Sequence, residues 1–103
     1  GNAIYFSREP IPSRKKYSGK VPMFKQVPII PFRRDFLIEY NRMEQTPLEI
    51  IESVDMMRIV ENGLKIRMIK TRFSTHAVDT LEDLRHVEEL MANDRLLKSY
   101  ERA

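Results

Sequence analysis

The chain has 103 residues, of which 42% are hydrophobic and 32% are charged, and these proportions suit one modest folded domain. The 18 lysine and arginine residues slightly outnumber the 15 acidic residues, which gives a formal net charge of +3. The absence of cysteine excludes a disulfide framework and a thiolate metal site, and no apolar run approaches the roughly 20 residues that a membrane-spanning helix needs.

The beginning of the chain predicts two short strands with an irregular connection between them. Residues 4–7 have the apolar content of a strand, and residues 9–22 contain the prolines and glycine that are typical of a loop. Residues 25–32 are also strand-like, but Pro28 and Pro31 each lack the N–H group that a sheet ladder requires. We therefore expect this second strand to lie at a sheet edge or to be interrupted.

Two helices are predicted next. The first covers residues 33–42, and its buried side carries Phe36, Leu37 and Tyr40. The second covers residues 46–63 as one continuous helix. Thr46 is its N-cap, a proline follows, and Glu49 lies where its carboxylate can reach back to the Thr46 amide, while Gly63 ends the helix. The apolar stripe of this helix comprises Leu48, Ile50, Ile51, Val54, Met57 and Val60.

The last third of the chain predicts one strand and two helices. Residues 65–71 alternate between apolar and charged side chains, which is the period of a half-buried strand. Thr80 caps a helix that runs to about Met91 and has an aspartate at its third position. Asn93 and Asp94 cap a final short helix.

Several separate motifs follow one another in a fixed order. They are Phe6-Ser7-Arg8 with Pro10-Ile11-Pro12, PFRRDFLIEY, TPLEIIES with Arg58 and Asn62-Gly63, and Val78-Asp79-Thr80 with Glu82-Asp83-Leu84. In this order they resemble the C-terminal part of the CMP-Kdo synthetases, the 3-deoxy-manno-octulosonate cytidylyltransferase family, over residues 4–90. The resemblance implies an α/β fold, the C-terminal fragment of a Rossmann-like nucleotide-diphospho-sugar transferase fold in which short strands pack with three to four helices.

The resemblance also implies a domain assignment. Members of this family hold the nucleotide triphosphate on a loop of small and basic residues, and the three glycines of this chain form no such cluster. We therefore expect residues 4–103 to be the sugar-binding and dimerisation part, without the N-terminal nucleotide-binding half. We expect residues 1–3 to be a cloning remnant or linker, because they precede the first predicted strand without helping to form it.

Four site residues carry over from the resemblance. Asp79 matches a family aspartate that binds Mg²⁺, although an aspartate before a helix more often serves the helix end. Arg8, Gln26 and Asp55 match positions that bind substrate, and structural pairing is an equal alternative for Arg8. No residue of this chain is expected to be catalytic.

The expected sugar pocket departs from the family pattern. The family shows a His-x-Gly-x-Tyr motif where this chain has Gln26, Pro28 and Ile30, and a Glu-Gln pair where it has Asp55 and Met56. A buried sugar hydroxyl that faced Ile30 would lack a hydrogen-bond partner. The acceptor is therefore expected to be Kdo or, because of these changes, a related 2-keto-3-deoxy acid such as an amino-Kdo.

The activity that the resemblance implies is transfer of CMP from CTP to such a sugar acid with release of pyrophosphate, for lipopolysaccharide or surface-glycan synthesis. We expect the intact protein to be a cytoplasmic homodimer that uses Mg²⁺, and this chain alone to be inactive. Neither nucleic acid nor membrane is an expected partner. The alternative is a non-catalytic dimerisation or interaction module with the same fold.

A basic cluster leaves two further alternatives open. A nucleic-acid contact is less favoured than a solvated loop, because no basic helix or aromatic sheet accompanies the cluster, and attraction of an anionic substrate or nucleotide is a third possibility. The cluster consists of Arg14, Lys15, Lys16, Lys20 and Lys25, with Tyr17 and Phe24 nearby. The histidines His76 and His86 lack the spacing of a zinc site.

Overall fold

The computed structural model describes residues 1–101 and divides the chain into two compact units, Gly1–Lys70 and a second unit that begins at Thr71. The described residues form five helices and one isolated antiparallel bridge. The helices are α1 (Arg34–Arg42), α2 (Pro47–Glu52), α3 (Met57–Glu61), α4 (Leu81–Ala92) and α5 (Arg95–Glu101). None of these helices is both long and apolar enough to cross a membrane.

The predicted helix over residues 46–63 is wrong as a single element. Its start is confirmed, because α2 begins at Pro47 and the Glu49 carboxylate accepts the Thr46 N–H at 3.2 Å. Ser53 then adopts the left-handed conformation, with φ of 52°, and ends α2. The chain turns and resumes as α3, which ends before Gly63, whose φ of 71° confirms its predicted role as a stop.

This turn changes which side chains are buried. The single-helix stripe predicted that Ile51 faces the core, but its side chain is 73% exposed. Met57, which also belongs to that stripe, is buried as predicted, and Met56, which does not, is buried as well. The helical period restarts after the turn, so the apolar positions before and after it do not share one continuous face.

The core of the first unit lies where α1 meets α3. Tyr40 of α1 is buried in one cluster with Met56 and Ile59. The cluster is surrounded by partly buried hydrophobic side chains, namely Phe6, Ile30, Phe32, Phe36, Met43, Val54 and Ile66. The helix predicted over residues 33–42 is thus confirmed, although Leu37 of its expected buried side is 40% exposed.

None of the three predicted strands forms within residues 1–101. The isolated bridge joins Asn2 and Arg67, and beside it the Ala3 N–H donates to the Ile66 carbonyl at 2.9 Å. A strand in a sheet needs a continuous ladder of hydrogen bonds to a neighbouring strand. The β propensity of these residues favours an extended backbone but does not provide that neighbour. Residues 1–3 make backbone hydrogen bonds with residues 66–68, while their assignment as a cloning remnant or linker stays a prediction.

The second unit confirms both of its predicted helices. Thr80 caps α4, because its hydroxyl oxygen accepts the Asp83 N–H at 3.1 Å. Asp94 caps α5, since one of its carboxylate oxygens accepts the N–H groups of Leu96 and Leu97 at 2.6 and 3.2 Å. Both helices thus begin at the residues whose side chains satisfy their free amides.

Candidate functional site

Arg8 is held against the C-terminal end of α2. Its Nε donates to the Glu52 carbonyl at 2.7 Å, and a terminal guanidinium nitrogen donates to the Ser53 carbonyl. A cation at this end of a helix satisfies carbonyls that have no helical partner and complements the helix dipole. The alternative of structural pairing therefore has a clear geometry. The substrate role of Arg8 stays a prediction that would use its remaining N–H groups.

The Glu52 carboxylate completes this arrangement. It accepts the Arg8 backbone N–H at 2.8 Å and the Tyr5 hydroxyl at 2.6 Å. The Arg8 amide, followed by the Tyr5 hydroxyl, lowers the pKa of Glu52, and the hydrogen bond to Glu52 raises the pKa of Tyr5. These contacts join residues about 45 positions apart, which no sequence spacing indicated.

The turn between α2 and α3 is stabilised by an ion pair. The Arg58 guanidinium contacts both carboxylate oxygens of Glu49, at 2.8 and 2.6 Å, and donates to the Met43 carbonyl at 3.2 Å. It also lies 4.7 Å from the centroid of the Tyr40 ring. The hydrogen bonds from Arg58 lower the pKa of Glu49 and raise that of Arg58, while burial raises the pKa of Tyr40.

Asp55 lies in this turn, where its backbone makes a structural hydrogen bond and its side chain is free to meet a ligand. Its carbonyl accepts the Tyr40 hydroxyl at 3.2 Å, which anchors the turn to α1. Its exposed side chain borders a shallow depression on the same surface. The depression is lined by Gln45, Glu49, Ile50, Ser53, Val54 and Asp55. A carboxylate at such a rim can accept hydrogen bonds from hydroxyl groups.

The other positions that were predicted to face the sugar, Gln26, Ile30 and Met56, are less exposed than Asp55. Gln26 is partly buried. Ile30 packs partly buried against the core cluster, and Met56 belongs to that cluster with only 3% of its surface exposed. Both departures from the family's polar pattern thus lie in one apolar cluster.

Asp79 lies in the second unit, at the start of α4. Its backbone N–H donates to the Asp83 carboxylate at 3.2 Å, and the Thr80 N–H donates to the same oxygen at 2.9 Å. The Thr80 hydroxyl, which donates to this oxygen at 2.8 Å, is the main cause that lowers the pKa of Asp83. Capping is therefore performed by Thr80 and Asp83 together, and the exposed Asp79 carboxylate has no hydrogen bond within the described chain.

This donor set fits a metal ion only in part. No group of three histidine, aspartate or glutamate side chains in residues 1–101 could enclose a metal. Mg²⁺, however, is commonly held by one or two carboxylates together with substrate phosphates and water. Asp79 can supply one such carboxylate, so the predicted magnesium role of Asp79 is compatible with the residues present.

The two histidines are closer than their spacing in the sequence suggests. The rings of His76 and His86 meet edge to face, with centroids 5.0 Å apart. The His76 Nε2 lies 3.4 Å from the Ser74 hydroxyl oxygen. The packing of the His76 ring against the His86 ring holds the segment before α4 against that helix.

Comparison with known proteins relates the sequence of this chain to one family. A sequence model described as cytidylyltransferase matches residues 1–66. A 3-deoxy-manno-octulosonate cytidylyltransferase from Fusobacterium nucleatum subsp. nucleatum is 48% identical over 85 residues, which cover 82% of this chain and 34% of that protein. Proteins with the same description from Solibacter usitatus and Geobacter metallireducens are 43% and 39% identical, over 87% and 89% of this chain. The chain spans 34% to 40% of the length of these three relatives.

Proposed function

The chain belongs to the cytidylyltransferase family, and from this premise we propose that it takes part in transferring CMP from CTP to a 2-keto-3-deoxy sugar acid, with release of pyrophosphate. One observation carries the proposal. The residues that match the family, 1–66, lie within the first compact unit, Gly1–Lys70, in which the pair of Glu49 and Arg58 holds the turn that carries Asp55.

The proposed chemistry is attack of the sugar's anomeric hydroxyl on the α-phosphate of CTP. Asp79 would contribute one carboxylate to a Mg²⁺ ion, which supplies charge neutralisation at the phosphates when it is bound. Asp55 would accept hydrogen bonds from sugar hydroxyl groups at the rim of its depression. The free N–H groups of Arg8 would pair with an anionic group of a substrate.

We propose that the acceptor is Kdo or a related 2-keto-3-deoxy acid, such as an amino-Kdo. Ile30 and Met56 stand where the family offers a tyrosine and a glutamine, and both side chains belong to apolar packing. Neither side chain can therefore give a sugar hydroxyl the hydrogen bond that a tyrosine or a glutamine could.

The setting of the reaction is also a proposal. A sugar acid activated with CMP serves lipopolysaccharide or surface-glycan synthesis, and the supply of CTP favours the cytoplasm. We propose that the protein acts as a homodimer with a Rossmann-like sheet. The segments predicted as strands have no hydrogen-bond ladder of their own within residues 1–101, so their backbone groups could pair with the strands of such a sheet.

The test is a pyrophosphate-release assay of the full-length protein that carries this chain, with CTP, Mg²⁺ and a panel of 2-keto-3-deoxy sugar acids. Release with one sugar, absent without that sugar, is the expected result. The chain of 103 residues alone should release none. Absence of release with every sugar would reject the proposed activity.

The second candidate is a non-catalytic interaction module. It is favoured by large apolar side chains that remain exposed in the first unit, among them Ile4, Ile29 and Ile69. Sedimentation of the chain alone tests it. The module would be favoured by a dimer of the chain that dissociates when Ile29 or Ile69 is changed to serine, together with a full-length protein that releases no pyrophosphate.

A further inference from the structure

The first unit carries a run of positive charge that the proposed sugar site does not use. We define the basic segment as residues 14–25, which contain five cationic side chains and no acidic one. These are Arg14, Lys15, Lys16, Lys20 and Lys25, and all five residues are exposed. The side-chain ion pairs of residues 1–101, Arg34 with Asp35 and Arg58 with Glu49, lie elsewhere, so no cation of the segment is held in an ion pair there.

The fold adds a sixth cation from a distant part of the sequence. The ammonium group of Lys70 lies 4.6 Å from the centroid of the Phe24 ring. This contact brings Lys70 beside the basic segment, although 45 residues separate the two in the sequence. Grouped cations of one sign raise the local concentration of anions.

The aromatic side chains of the segment, Tyr17 and Phe24, are 65% and 75% exposed, and each ring has one close neighbour. Lys70 lies over the ring of Phe24. The ring of Tyr17 lies so close to Gly19 that a Cβ atom added there would meet ring atoms at 2.7 Å. Binding of single-stranded nucleic acid relies on free aromatic faces as well as on charge. The segment therefore offers five cations and two single exposed rings on a loop, without the sheet of aromatic side chains that is typical of single-strand binders.

From these observations we propose that the basic segment and Lys70 bind polyphosphate anions. Lysine ammonium groups bind phosphate as mobile point charges and need no fixed planar geometry, which suits an exposed segment without helix or strand. The triphosphate of CTP and released pyrophosphate share this chemistry. Only the choice between these two sources rests on the proposed function.

Isothermal titration of the 103-residue chain with inorganic tripolyphosphate tests the proposal directly. Saturable binding is expected, and it should weaken severalfold between about 50 and 200 mM salt because exposed charges are screened. Changing Lys15, Lys16 and Lys20 together to glutamine should reduce the affinity about tenfold.

The matched control removes the same charge outside the segment, by changing Lys65, Arg72 and Arg85 to glutamine. These residues are exposed, and the affinity should stay within about twofold of the original. An equal loss in both triple variants would overturn the proposal, because net charge alone would then explain binding. Absence of binding by the unchanged chain would also overturn it.

Further ligands separate the sources and the rival partner. Tighter binding of CTP than of tripolyphosphate would identify a nucleotide, and equal affinities would identify free polyphosphate. Tighter binding of a single-stranded oligonucleotide, lost when Tyr17 and Phe24 are changed to alanine, would overturn the proposal in favour of nucleic acid. Because binding is measured without turnover, its result is independent of the pyrophosphate-release assay.

Discussion

Arg58 on α3 holds the carboxylate of Glu49 on α2 at two points, with side chains that are only 14% and 6% exposed. The same carboxylate accepts the Thr46 N–H at the start of α2. One buried group therefore closes the beginning of one helix and ties down the next. This relationship explains how two helices of six and five residues, each too short to persist alone, keep a defined arrangement.

The first prediction concerns this pair. Arg58→Met keeps the apolar stem but leaves the Glu49 carboxylate buried without its cation, which is strongly unfavourable. We expect the melting temperature of the chain to fall by at least roughly 5 °C, measured by circular dichroism. The double variant Glu49→Gln with Arg58→Met should lose less than the sum of the single changes.

The control is the exposed pair of Arg34 and Asp35, 3.4 Å apart, with side chains 86% and 95% exposed. Arg34→Met should leave the melting temperature unchanged, because exposed pairs contribute little. Equal effects of Arg34→Met and Arg58→Met would contradict the role assigned to the buried pair.

The second prediction is a pH dependence. Arg58 lowers the pKa of Glu49 in the folded chain below the ordinary glutamate value of about 4.3. A carboxyl group with a lowered folded pKa stabilises the fold above its unfolded pKa, and this contribution is lost as the pH falls through the folded value. The urea midpoint should therefore fall from about pH 5 downward. Glu49→Gln should flatten that dependence, and an unchanged slope would contradict the assignment.

The third prediction concerns the two left-handed residues. Gly63 has φ of 71° and open space around the position of a Cβ atom, so Gly63→Ala should cost about 1 kcal/mol through conformation alone. Ser53, with φ of 52°, should tolerate glycine without loss, whereas Ser53→Val should destabilise by about 1–2 kcal/mol. Chemical unfolding of the three variants measures these differences, and a stable Ser53→Val would show that the turn has another cause.

Ser53 also shows where inference from the sequence stops. Thr46, Glu49, Gly63, Thr80 and Asp94 predicted helix ends correctly, because capping depends on a few neighbouring residues. A serine in the left-handed conformation has no such local signal, so one helix was expected where two form. The contacts of Arg8 with Glu52 and of Lys70 with Phe24 join distant residues and depend on the whole fold.

The fourth prediction separates the roles of Asp79 and its neighbours. Asp79→Asn should abolish pyrophosphate release by the full-length protein if Asp79 holds the metal, with no loss of stability, since the side chain makes no hydrogen bond in the described chain. Thr80→Ala removes the cap of α4 and should cost about 1 kcal/mol with lower helix content. Asp79→Asn with full activity would remove the proposed metal role.

The last prediction concerns Met56, which stands where the family has a glutamine. Met56 lies in the core cluster with 3% exposure, so Met56→Gln would bury an amide among apolar side chains, at a cost of about 1–3 kcal/mol. Met56→Leu conserves volume and should cost less than about 1.5 kcal/mol. Urea unfolding of the chain measures both, and kcat/KM of the full-length protein for Kdo and for an amino-Kdo shows whether the sugar senses the change. We expect lost stability without a gain for Kdo, because a side chain packed against Tyr40 and Ile59 is turned to the core. A stable Met56→Gln variant that gains activity on Kdo would instead place residue 56 in the sugar pocket.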